Sequence, residues 1–167
     1  MDLLSCYPQS LQYLRTRTRD YLRDNFDIVL MDNPPNLGML VANSLYAAHL
    51  ALVPVDAGSA FSVTGLDKAL ELIAAVQELG NPVLRFLGVL LNRVDRRTAV
   101  GRGLEEDIRT RFPETEVMRT QIPVNVAVQR AEYQQEVLFP RHRASRAARA
   151  YAELAAEIVA RLDQGLT

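Results

Sequence analysis

Asp32 closes the run Phe26-Asp27-Ile28-Val29-Leu30-Met31 and is followed by Asn33-Pro34-Pro35-Asn36-Leu37-Gly38. Ile28 to Met31 is a continuous apolar run, which suits a strand buried on both faces of a parallel sheet. The two prolines then bar either a strand or a helix from continuing. An acid at the carboxyl end of such a strand stands where open α/β sheets bind their ligands. It is also where phosphate-binding proteins keep the acid that orders magnesium. The other reading is that Asp32 only ends the strand and caps a turn, and pattern alone does not choose between them.

The elements that must position such a site follow in alternation. An arginine-rich helix over about 9–24 carries the stripe Leu11, Leu14, Tyr21 and Leu22, with Arg15, Arg17, Arg19 and Arg23 around it. Those arginines read as a solvated face or as a phosphate-contacting patch. After the strand at 27–32 comes a helix near 37–48, then the apolar run Leu50 to Val55, whose Pro54 suggests a strand end or an edge. A small-residue loop, Asp56 to Ser62, leads to an amphipathic helix from Thr64 to Leu79 through Leu66, Leu70, Ile73 and Val76, stopped by Gly80-Asn81-Pro82. Phe86 to Asn92 reads as a third buried strand, 100–111 as a helix, and Val117 to Gln121 as a short fourth strand. The stretch 124–143 reads as irregular with about one helical turn, and a last helix runs from about Ala144 to Leu162. Strands separated by helices predict right-handed βαβ units: a single α/β domain over residues 1–167, its parallel sheet of about four strands covered by helices on both faces. Four segments are then expected at one sheet edge: Asp32 to Gly38, Asp56 to Phe61, Asn92 to Arg97, and Ile122 to Val126.

Composition narrows the function. The 167 residues are 49% hydrophobic and 23% charged, with a net charge of −1, so the chain as a whole is no obvious polyanion binder. Lys68 is the single lysine among 19 basic residues, which a GC-rich genome explains. The lone Cys6 makes no internal disulfide, no segment reaches the length of a membrane span, and the start has no basic region of the secretory type. A cytoplasmic location is expected.

The segment from Phe26 to Gly38 resembles the Walker B segment of the ParA/MinD-type partition ATPases. Further pieces are similar in the same order. Leu52-Val53-Pro54-Val55 with Gly65-Leu66 looks like that family's Ile-Pro-Val strand and Gly-Leu helix start. Gly88-Val89-Leu90-Leu91-Asn92-Arg93-Val94-Asp95-Arg96-Arg97-Thr98 looks like its Gly-Val-Leu-Leu strand with a polar tail. Ile122-Pro123-Val124-Asn125-Val126 resembles its Ile-Pro-x-Asn-Val loop, and Pro140 to Leu154 its terminal stretch with Ala148, Tyr151, Leu154 and Ala155 in step. The resemblance implies a P-loop NTPase fold, plasmid or chromosome segregation or cargo positioning, and ATP with magnesium as cofactors. At matching positions it implies that Asp32 helps position hydrated magnesium, that Asn92 and Arg93 meet the adenine base, and that Pro123 and Val124 pack against base and ribose. It further implies non-specific DNA contact, for which the densest basic segment, Arg141, Arg143 and Arg146, is the candidate. A solvated face is the competing reading there, because Arg149, Glu153, Glu157 and Arg161 form an i,i+4 row. Partners implied are a second copy or a partner subunit, and a ParB-like adaptor.

The departures matter as much. No Gly-x-x-x-x-Gly-Lys-Ser/Thr occurs, so the loop whose backbone N–H groups cradle the triphosphate is missing, together with its catalytic lysine. The family's Asp-x-Asp-Pro-Gln segment is missing too. The chain therefore resembles the carboxyl-terminal two-thirds of a partition ATPase, whose front end would lie upstream of Met1, and hydrolysis of ATP by this chain alone is not expected. Arg130 stands where the family usually has a glutamate, His49 where it often has an aspartate, and Asn33 and Asn36 where small or hydroxyl residues are common. The alternative function is a non-enzymatic interaction or regulatory module with a degenerate nucleotide site. A sheet lacking its phosphate-loop strand would leave an edge and apolar faces uncovered, so self-association or a partner is expected.

Overall fold

The computed structural model describes residues 11–59, 62–139 and 142–165. Cys6, Phe61, Pro140 and Arg141 lie outside them. The elements follow in the order α1 (Tyr13–Asn25), α2 (Met39–Ala47), β1 (Leu50–Asp56), α3 (Ser62–Leu79), β2 (Arg85–Asn92), α4 (Ala99–Arg111), a 3-10 turn (Glu114–Glu116), α5 (Val126–Tyr133) and α6 (Arg146–Gly165). β1 pairs with β2, and the chain divides into two compact units, Met1–Ala51 with Thr64–Phe86 and Leu52–Val63 with Leu87–Thr167.

In the first unit α1 packs against α2. Val41, Ala42, Leu45 and Tyr46 of α2 are buried, as are Leu66, Ile73 and Val76 of α3, the stripe expected from their helical spacing. The end of α2 shows how one polar residue closes a helix. Buried Asn81 donates through Nδ2 to Leu45 O at 2.8 Å and Ala48 O at 2.7 Å, satisfying carbonyls that the helix leaves open.

Residues 27–32 form no strand. They carry no regular structure, Ile28, Val29 and Leu30 are exposed, and they have no ladder partner among the described residues. The apolar sequence is strand-like, but a strand buried on both faces needs a hydrogen-bonded neighbour, and no described segment bonds the backbone of this one.

The second unit is built around the carboxyl-terminal part of β2. Leu90, Met118, Ile122, Ala150 and Leu154 form a buried cluster, with Leu52 and Ile158 packed against it. The expected fourth strand at 117–121 is replaced by two isolated parallel bridges, Val89 to Val117 and Val94 to Pro123. Between them Met118 N–H donates to Val89 O (2.8 Å) and Ile122 N–H to Leu91 O (3.0 Å). The ladder breaks at residues 119–120 because a side chain takes their N–H groups. Glu157 Oε1 accepts from Arg119 N–H and Oε2 from Thr120 N–H, both at 2.8 Å. Arg161, 2.9 Å from Glu157, donates to Leu87 O, Thr115 O and Val117 O.

Glu157 and Arg161 are thus a clamp on the backbone rather than two members of a solvated row, and the i,i+4 spacing alone concealed this. Burial raises the Glu157 carboxyl, but the two backbone N–H groups and Arg161 outweigh it and hold the group below its ordinary value. The stretch after Pro123 is also more regular than expected, since α5 makes eight helical residues. Its start is capped by Asn125, whose Oδ1 accepts from Ala127 N–H at 2.8 Å.

Candidate functional site

In the second unit β1 ends at Asp56 and β2 at Asn92. Ala57 N–H donates to Asn92 O at 2.8 Å, which holds the two strand ends level. Asp56 turns its own loop, Oδ1 accepting from Gly58 N–H at 2.8 Å. Beyond β2 the backbone reverses at Arg93, whose φ of 54° is left-handed and unusual for a side chain with a Cβ. Bonds on both sides impose it. Asn92 Oδ1 accepts from Arg93 N–H (3.0 Å), Val94 N–H donates to Ile122 O (2.9 Å), and Val124 N–H donates to Val94 O (3.1 Å). A strained residue at a strand end is a recurrent feature of functional sites.

The following turn is fixed by Asp95. Arg97 contacts it three times: N–H to Oδ1 at 3.0 Å, Nε to Oδ1 at 2.9 Å and Nη2 to Oδ2 at 2.8 Å. The side-chain bonds from Arg97, and then its backbone N–H, bring the Asp95 carboxyl from 3.8 to about 2. Thr98 caps α4, accepting from Gly101 N–H at 3.0 Å while donating to Asp95 O at 2.9 Å. Gly101 must be glycine here, because a Cβ would come 2.5 Å from Asp95 O. Glu105 braces the turn from α4, accepting from Gln121 Nε2 (2.6 Å), Arg96 (3.2 Å) and Arg109 (3.3 Å). Burial raises Glu105, yet the Gln121 bond and the Arg96 charge leave it below its ordinary value.

These pieces enclose an open cleft of about 240 Å³ lined by Asp56, Ala57, Gly58, Arg93, Asp95, Thr98, Val100 and Val124. Arg93 Nη1 lies 3.3 Å from Asp56 Oδ2 across it. The lining is apolar at Ala57, Val100 and Val124 and carries two carboxylates and one guanidinium, with no lysine.

The structure therefore brings Arg93 and Val124 to one cleft. Asn92 and Pro123 lie beside it, at the base of the Arg93 turn and on the bridge to Val94. Asn92 Nδ2 has no protein partner among the described residues. Asp32 belongs to the first unit, is exposed, and stands in no grouping of acids, histidines or cysteines suited to a metal among the described residues. Arg143 and Arg146 are exposed at the start of α6, without an ion-pair partner among the described residues. Asp56 and Asp95 fall in two of the segments expected at the sheet edge but were not singled out as site residues, and Thr98 and Val100 lie outside those segments. Asp56 was legible by the argument used for Asp32, as an acid closing an apolar strand; Thr98 and Val100 depend on how the turn folds back.

For adenosine triphosphate the fit is divided. An apolar wall beside a free amide suits a base. Two carboxylates, with the one cationic lining residue engaged by Asp56, do not suit a triphosphate, and the described residues offer no cradle of backbone N–H groups with a lysine.

A family model described as an AAA domain matches residues 4–86. The chromosome-partitioning ATPase Soj of Thermus thermophilus is 36% identical over 150 residues, which cover 89% of this chain and 59% of that protein. Among solved structures, cobyrinic acid a,c-diamide synthase from Mycobacterium smegmatis, with a bound ATP analogue and magnesium, matches with a TM-score of 0.62. It is 34% identical over 71% of this chain and 46% of the synthase. The Pyrococcus furiosus cell division ATPase MinD matches with a TM-score of 0.67 over 89% of this chain and 57% of its own. Its 22% identity speaks for the fold alone. The chain thus spans under two-thirds of the length of each. No helix among the described residues is long and apolar enough to cross a membrane. With the βαβ order of β1, α3 and β2 and the likeness to Soj across most of its length, this chain belongs to the ParA/MinD-type partition ATPase family.

Proposed function

We propose that this chain supplies the base-recognising part of a partition-type nucleotide site and acts in segregation or positioning of cargo within an assembly, without hydrolysing ATP by itself. The observation that carries the reading is the Val94 to Pro123 bridge. It sets Val124 and Arg93 on one cleft with the Asn92 amide beside it, at the ends of parallel strands. The synthase matched above was solved with an ATP analogue and magnesium, which supports a nucleotide as the ligand class. Bound nucleotide would bring the phosphoanhydride chemistry. The residues of this chain would bind and orient the base, Asn92 Nδ2 donating to a ring nitrogen and Val124 and Val100 excluding water from its face.

The acidic lining favours a second reading, an interaction module that has lost nucleotide chemistry. Calorimetric titration with adenosine and with MgATP separates the two. Binding of both within about threefold of each other, lost in Asn92→Ala, is the expected result, because the phosphates meet no cradle. A tenfold or greater gain from the triphosphate would overturn the claim that the phosphate side is incomplete. Absence of either at millimolar ligand would leave the module. Exposed Arg143 and Arg146 support a further reading, contact with DNA phosphates. Filter binding that weakens with salt and is reduced in the R143A/R146A variant is expected.

A further inference from the structure

Among the described residues, Arg93 is the only cation on the cleft lining, and its Nη1 lies 3.3 Å from Asp56 Oδ2. Asp56 therefore works in two directions. Its Oδ1 accepts from Gly58 N–H at 2.8 Å and shapes the loop, while Oδ2 holds the guanidinium. Asp95 is occupied by Arg97 through three bonds. Every charged group on the lining thus has a partner within the protein, and the polar group left for a ligand is the Asn92 amide beside it. Asn92 Oδ1 accepts from Arg93 N–H at 3.0 Å, which leaves it one further lone pair, and Nδ2 brings two donors.

A purine shows its position 6 and N7 side by side, and the two kinds of group read that edge differently. An amide suits a 6-amino base, accepting from the amino group and donating to N7. A guanidinium suits a 6-oxo base, donating to O6 and N7 together. Arg93 held by Asp56 does not offer that pair of donors. A 6-oxo base brought to Asn92 instead sets its carbonyl against the amide oxygen, two acceptors facing each other.

We propose that Asp56 sets the base preference of this cleft: by engaging Arg93 it leaves Asn92 to read the base, and so selects a 6-aminopurine over a 6-oxopurine. The proposal deepens the base-recognising reading and rests on it. Asp56 acts through Arg93, as a positioning residue, and touches no ligand atom itself. Both members of the pair are partly exposed, so the preference it supplies is about fivefold, the most that an exposed ion pair withholds.

The test is calorimetric titration of the full chain with adenosine and with inosine, its 6-oxo counterpart. The wild type is expected to bind adenosine at least fivefold more tightly. In Asp56→Asn an amide oxygen still accepts from Gly58 N–H, while the charge that holds Arg93 is gone. That variant should bind inosine about fivefold more tightly than the wild type does, a gain that loss of folding does not produce. The D56N/R93G variant should lose the gain, with glycine taking the left-handed backbone at position 93 without strain. A merely structural Asp56 would weaken both nucleosides together. Unchanged or weaker inosine binding in Asp56→Asn, a gain that persists in D56N/R93G, or equal binding of the two nucleosides by the wild type would each overturn the inference, while adenosine binding by the wild type keeps the base-recognising reading. No adenosine binding at millimolar ligand removes that reading and the inference with it.

Discussion

Two apolar runs of similar composition meet opposite fates in this chain. Val89, Leu90 and Leu91 are buried in β2, with β1 as neighbour and residues 117–124 bridged to them and just beyond. Ile28, Val29 and Leu30 lie exposed without a ladder. Hydrophobicity makes a segment able to be a strand, but a hydrogen-bonding neighbour decides whether it is one, because an unpaired backbone cannot be buried cheaply. β2 even keeps an imperfect neighbour, since the Glu157–Arg161 clamp satisfies the groups that the broken ladder leaves open.

The sharpest way to break this contrast is to remove the clamp. Glu157→Ala leaves the part-buried N–H groups of Arg119 and Thr120 without their acceptor and takes one of four acceptors from Arg161, and should cost about 3–5 kcal/mol, at about 1–3 kcal/mol for each group left unsatisfied. Urea unfolding measures it, and a loss under 1 kcal/mol would show the clamp to be incidental. Leu91→Ala, in the paired run, should cost about 2–5 kcal/mol as a core truncation. Leu30→Ala, in the bare run, should stay within about 0.5 kcal/mol. A Leu30 loss matching that of Leu91 would mean the first run is buried in solution.

The clamp also carries a pH signature. Because the folded Glu157 pKa is lowered from 4.5, its contribution is complete above that value and is lost as pH falls through the folded pKa. Urea midpoints of the wild type should therefore fall more between pH 7 and pH 3 than those of Glu157→Gln. The smallest cost among the structured positions is expected at the site turn. Thr98→Ala removes the α4 cap at about 1 kcal/mol. It should leave adenosine affinity within about threefold if α4 only supports the cleft.

Much of the architecture was legible without coordinates. The α3 stripe and the apolar strands β1 and β2 follow from side-chain periodicity and from the turn residues between them. Of the site, Arg93, Val124 and their neighbours came from the resemblance, and Asp56 could have come from its place at a strand end. Thr98 and Val100 could not, because their position depends on the left-handed reversal at Arg93, which no glycine announces.

The sequence by itself determined which segments are helical and which are able to be strands, since those follow from side-chain period and from the turn residues between them. The tertiary structure alone decided that Ile28–Met31 stays bare and that Glu157 and Arg161 turn inward onto residues 115–120. It also decided that Asp56 and Asp95 line the same cleft. Each of these depends on which distant backbone groups find partners, and pairing between segments far apart in the chain leaves no local trace in residue order.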